Sequence, residues 1–134
     1  MSSKRLFLAL LSVGTLLTLA PMASADCRQK ITLTSTGVAR DASGTAEKRA
    51  DGTNQRFKVS IDAAVPDGTT YGVVVNNKKF VGALTIRMGD GELEIENNQG
   101  KPDPAVTDPI CSITSVAVVE VNNGTIRPIL YGSF

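Results

Sequence analysis

Four acids, Asp90, Glu92, Glu94 and Glu96, recur at every second position and are the densest set of groups in the chain that could do chemistry. Even spacing along an extended strand puts the glutamates on one face with neighbours roughly 6 to 7 Å apart, near the carboxyl separations used in glycoside hydrolysis. A carboxylate-dependent hydrolase on the strand 90–96 is therefore one reading, and the solvated face of a strand is the other. Oxygen ligands at Asp90 and Glu92, or at Asp103 and Asp108, could hold calcium, although no ordered Asp-x-Asp-x-Asp-Gly run accompanies them. The chain has no histidine, which excludes a Ser-His-Asp triad, a Cys-His pair and the usual zinc sites. It has no phosphate-binding glycine loop either.

Two cysteines remain, Cys27 and Cys111. Lys4 and Arg5 precede an uncharged run from Leu6 to Ala20, and Pro21 and Ala23-Ser24-Ala25 follow it. That order is a secretory signal peptide over residues 1–25, cut after Ala25. Asp26 stands where a lipoprotein signal needs a small residue before its cysteine, so Cys27 is not read as a lipid anchor. Export to a periplasmic or extracellular compartment places both thiols where pairs close, and a Cys27–Cys111 disulfide is expected. Closing so long a loop is worth roughly 4 to 5 kcal/mol in the chain-entropy description. The bridge is expected to pin the N-terminal strand to a strand beginning near Ile113.

Loss of the signal leaves twelve basic residues against thirteen acidic ones. Without a basic block, neither nucleic acid nor a polybasic membrane contact is expected. The run 6–20 is short for a membrane span and no second one follows.

The remaining chain, 26–134, reads as one all-β domain. Apolar and polar residues alternate at period two through Ile31 and Leu33, through Phe57, Val59 and Ile61, and through Leu93 and Ile95. Asp51-Gly52, Pro66-Asp67-Gly68, Asn76-Asn77, Asp90-Gly91 and Asn122-Asn123-Gly124 supply turns between them. Eight strands are predicted near 29–36, 43–50, 54–63, 70–76, 79–88, 91–97, 112–121 and 125–133, with no helix. The architecture is an antiparallel β-sandwich of Greek-key or Ig-like type, or a small barrel. Pro102, Pro104 and Pro109 make the stretch from 98 to 109 a long loop.

The succession Asp41-Ala42-Ser43-Gly44-Thr45-Ala46, Arg56-Phe57-Lys58-Val59, Pro66-Asp67-Gly68-Thr69-Thr70-Tyr71, Val75-Asn76, Val81-Gly82, Gly91-Glu92-Leu93-Glu94 and Tyr131-Gly132-Ser133-Phe134 resembles a set of small, exported bacterial β-proteins of uncharacterised function. The resemblance implies the fold and carries no catalytic or binding residues. The last four residues also resemble the terminal aromatic signal of outer-membrane barrels. Eight spanning strands would consume nearly the whole chain, however, and a terminal strand packing Phe134 into the core is the preferred reading.

These observations describe an exported, non-enzymatic module acting through a surface, as a binder of a protein or glycan or as an envelope-structural part. Self-association through open strand edges is a further reading. Binding is expected at loops on the rigid scaffold: Asn76, Asn77, Lys78 and Lys79; Asp90 and Glu92; and Asn98, Asp103 and Asp108. No cofactor beyond the calcium option is implied. The mature aromatics are Phe57, placed in the core by its register, Phe134, and Tyr71, Phe80 and Tyr131, whose exposure the sequence leaves open.

Overall fold

A computed structural model of the chain describes residues 26–52, 54–97 and 109–134. Eight strands follow in order: β1 (Cys27–Ser35), β2 (Ser43–Asp51), β3 (Asn54–Asp62), β4 (Thr70–Val75), β5 (Lys79–Thr85), β6 (Asp90–Asn97), β7 (Ser115–Asn122) and β8 (Thr125–Ser133). One short 3-10 turn, Ile110–Ser112, precedes β7, where no helix was expected. Pro109 at its start cannot donate to a ladder, so the chain coils once before it can extend.

Tight turns join the hairpins where residues tolerate positive φ. Asn76 and Asn77 (φ 54° and 62°) link β4 to β5, and Asn123 and Gly124 (φ 52° and 78°) link β7 to β8. Both pairs match the two-residue turn whose twist suits a hairpin. The β5–β6 connection does the same with Met88 and Gly89, at φ 54° and 85°.

All strand pairs are antiparallel, and the order across the sheet is β5-β4-β7-β8-β1-β2-β3-β6. Of the two architectures expected, the sheet takes the barrel form: it is one continuous sheet, nearly closed on itself, and not two separate layers. Two seams join its halves. At the first, β1 pairs with β2 through residues 27–33 and then with β8 only through Thr34↔Tyr131 and Ser35↔Leu130. At the second, β5 and β6 come together without a ladder, and the isolated Arg87↔Asp90 bridge closes the turn between them. Farther along that seam the Leu93 side chain lies against Gly82, where an added Cβ would come within 3.1 Å of it.

Inward residues from both halves form one core, including Phe57, Val59 and Ile61 of β3, Tyr71, Val73 and Val75 of β4, and Val116, Val118, Ile129 and Leu130 of β7 and β8. Two further ties cross between the halves beside the 3-10 turn. Cys27 and Cys111 form the expected disulfide, with Cα atoms 5.8 Å apart, although Cys111 sits in the 3-10 turn and not on the following strand. Lys48 of β2 points inward between Ala46 and Ala50 and is only 5 % exposed. Its Nζ donates to the carbonyls of Ile113 (2.6 Å) and Cys111 (3.1 Å) and lies 4.6 Å from the centre of the Phe134 ring. Burial lowers its pKa, and the carbonyls and the ring's negative face compensate for the water it has lost. Phe134 packs against the core, as its position at the end of a strand suggested.

Candidate functional site

Pairing four strands on each side of the seams gives the barrel two outer faces, and directly opposed residues of an antiparallel pair share a face. On β1-β2-β3-β6 the outward rows are Arg28–Arg49–Arg56–Glu96, Lys30–Glu47–Lys58–Glu94 and Thr32–Thr45–Ser60–Glu92. The acidic strand thus lies outward as expected, but β3 supplies its counter-charges diagonally. Arg56 Nε is 3.1 Å from Glu94 Oε1 and Lys58 Nζ is 3.5 Å from Glu92 Oε2. Arg56 Nε is enclosed and off the line a hydrogen bond would need, so the contact is an ion pair without a directed bond. Such exposed pairs contribute about 0 to 1 kcal/mol each.

One end of this face carries a feature that sequence reasoning missed. Asp62 of β3 is the cross-strand partner of Asp90. The hydrogen bond between the two carboxyls, and then the Asp90 charge, raise the pKa of Asp62. They border a groove of about 450 Å³ with Ser60, Thr85, Arg87 and Glu92. The pair comes from strands separated by two other strands in the chain, so no local spacing announces it. Beside it, Met88 is 90 % exposed at positive φ, and its N–H donates to Asp67 (2.8 Å). A bulky residue in that conformation is uncommon and is held by its surroundings.

The turn residues proposed from sequence divide in role. Asn76 Oδ1 accepts from the N–H (2.8 Å) and hydroxyl (3.0 Å) of Thr114, which fastens the β4–β5 turn to the lead into β7. Asn77 and Lys78 are exposed and Lys79 is half-buried. Asn98, Asp103 and Asp108, with the long loop, lie outside the described residues, as does the signal segment 1–25. Among the described residues, no three His, Cys, Asp or Glu side chains are arranged to hold a metal ion.

The opposite outer face, on β5-β4-β7-β8, has different chemistry. One row runs Phe80–Val74–Ala117–Tyr131, and a second runs Ala83–Gly72–Val119–Pro128. The pair Val121↔Ile126 extends it toward the β7–β8 turn, in a hairpin end where every residue from 121 to 128 is exposed. None of the residues in these rows is charged; Arg127 of the same hairpin end pairs with its cross-strand neighbour Glu120. Phe80, Tyr131, Val121 and Ile126 are 61, 51, 66 and 62 % exposed. The Phe80 ring lies over Gly72, where a Cβ would fall 2.8 Å from it, so glycine there lets the ring lie flat on the sheet. Tyr71, by contrast, is buried on the inner side, and burial followed by the Glu120 charge raises its pKa.

The apolar outer face was not legible because a run such as Val73-Val74-Val75 fits a strand buried on both faces. Register shifts at Val73/Val74 and Val118/Val119 also change which side later residues take. The signal was the excess itself: β4 and β7 hold more apolar residues than one core face can use.

Fold and surfaces together define a class, an antiparallel β-barrel with a packed interior, one ion-paired outer face and one apolar outer face. No family model, no curated protein and no solved structure matches the chain.

Proposed function

We propose that the protein is an exported, non-enzymatic binding module that meets a protein or glycan surface through the outer face of β5-β4-β7-β8. The observation that carries this reading is the register of Phe80, Tyr131, Val121 and Ile126 in uncharged rows open to solvent. Isolated exposed apolar residues are ordinary, but a contiguous set leaves a hydration cost that a partner removes. The disulfide supports export, since such bridges persist in oxidising compartments. The intact mass of the exported chain, with and without reduction, tests that part: a start at Asp26 and two thiols appearing only on reduction are expected.

Binding is tested by retention of the exported protein on immobilised envelope glycans and on an outer-envelope protein fraction, beside the variant Phe80→Ser with Tyr131→Ser. Retention that the variant loses supports the reading. Equal retention of both proteins would overturn the choice of face.

A carboxylate-dependent hydrolase at the β3–β6 end is the second reading, favoured by the raised Asp62 beside Asp90. It requires hydrolysis of a glycan substrate that Asp62→Asn or Asp90→Asn abolishes. Turnover unaffected by both substitutions, or none by the native protein, removes it.

A further inference from the structure

We infer that the occupant of the apolar face is a second copy of the same chain, paired about a two-fold axis; this rests on the binding role proposed for that face. The row Phe80–Val74–Ala117–Tyr131 has its two large residues rooted at the ends, on β5 and β8, with the Phe80 ring folded inward over Gly72, and its two smaller side chains in the middle, on β4 and β7. A two-fold axis lying in the interface, parallel to the strands and midway between β4 and β7, places Phe80 of one copy over Tyr131 of the other. The same operation sets Val74 over Ala117; in the second row Ala83 comes over Pro128, while Gly72 and Val119 are buried beside the Phe80 ring, which presents itself to the partner in their place. A patch related to itself in this way is what an isologous interface requires.

Charge placement agrees. No row of this face would set like charges against each other across the axis, while the charged rows of β1-β2-β3-β6 lie on the other side of the barrel and stay hydrated. Aromatic rings at the two ends of a row are also the residue type that dominates interface energetics.

Area sets the strength. Four strands and about seven residues of length span roughly 19 by 23 Å at ordinary strand spacings. Two such faces cover at most roughly 900 Å² in all, below the roughly 1,000 Å² of a stable interface, so the dimer is weak, reversible and concentration-dependent.

The test is sedimentation equilibrium of the disulfide-intact exported protein from low micromolar to near-millimolar concentration. A monomer–dimer equilibrium is expected, weakened about tenfold or more by Phe80→Ser with Tyr131→Ser and unchanged by Arg28→Gln with Lys30→Gln on the charged face. A second arm reads a gain and not a loss: Phe80→Cys and Tyr131→Cys proteins, mixed at high concentration because each lacks one ring, should form an 80-to-131 intermolecular disulfide faster than either alone forms a homodimer. A native protein that stays monomeric throughout overturns the inference, as does a dimer indifferent to the serine pair or a mixture with no preference. Each of these leaves the binding role standing if glycan or protein retention still depends on Phe80 and Tyr131. Loss of both dimer and retention dependence removes the face from either role.

Discussion

The two outer faces of the barrel are built from the same strand geometry and resolve their exposure in opposite ways. On β1-β2-β3-β6 the outward positions carry charges of both signs, and each glutamate that pairs does so with a β3 cation one step along the diagonal. On β5-β4-β7-β8 the outward positions are apolar or hydroxylic, and large side chains stand in water. The first arrangement is complete in a single chain, because its charges are hydrated and partly paired. The second is left with an unfavourable hydration that only another surface relieves. The charged face is also the reverse of a lipid-facing band, which sets this barrel apart from those whose whole exterior meets hydrocarbon.

The comparison breaks first if the exposed rings prove to be part of the core. Phe57→Ala should destabilise by about 3 to 5 kcal/mol because Phe57 is fully enclosed. Phe80→Ala should cost less than about 1 kcal/mol in the monomer, where most of its ring already meets water. Comparable losses for the two in urea titrations at low protein concentration would make the apolar face a structural layer and not a docking surface.

Next in size is the tie between the halves. Cys27→Ser with Cys111→Ser is expected to cost about 2 to 5 kcal/mol. Because the β1–β8 ladder holds only two residue pairs, amide exchange should accelerate first at Thr34, Ser35, Leu130 and Tyr131. Uniform acceleration over all eight strands would show that the seam is no weaker than the faces it joins.

Lys48→Met should cost about 1 to 3 kcal/mol, the loss expected when the carbonyls of Cys111 and Ile113 are left without their donor. The figure is held down because the buried ammonium no longer has to be desolvated. A thermal midpoint at or above that of the native protein would mean the packing of methionine outweighs both hydrogen bonds.

On the charged face, Arg56→Gln or Glu94→Gln should change stability by no more than about 1 kcal/mol and lose that effect in high salt. A larger, salt-insensitive effect would contradict the picture of a hydrated, self-sufficient surface.

The smallest effect is a change of slope. The folded state raises the Asp62 pKa through Asp90, so protonation favours the fold. The pair's contribution is fully present below the ordinary aspartate range and is lost as pH rises through the folded pKa, where two charges face each other. Asp62→Asn should therefore become more stable relative to the native protein as pH moves from acid to neutral. A stability difference independent of pH over that range would show that the two carboxyls do not interact.

Much of the fold was legible because period-two alternation and Asn-Gly or Asp-Gly turns are local signals. The eight strands stand close to their predicted places, and Phe57 is buried as its register required. The barrel, the Lys48 anchor and the Asp62–Asp90 pair depend on which strands become neighbours, and β3–β6, β4–β7 and β1–β8 are not consecutive. Lys48 did leave a trace, since it occupies the inward phase of Ala46-Glu47-Lys48-Arg49-Ala50, but an alternation carried by two alanines is weak beside one carried by Val and Ile. The candidate turns stand out as loops on a rigid scaffold, whereas at Asn76 the polar side chain secures the scaffold itself.

The pairing of the first strand with the last also governs when the molecule can form. β1 gains its second neighbour, β8, only when residues 130 and 131 arrive, and Lys48 finds its ring only at Phe134. Contacts so distant along the chain make folding slow, on the order of milliseconds to seconds for topologies of this kind. Until the last strand docks, one side of β1 offers unpaired backbone groups to any other extended chain nearby. A chain stopped at Ile129 would lose both partners together and remain at that open stage, with an edge free to join the wrong molecule.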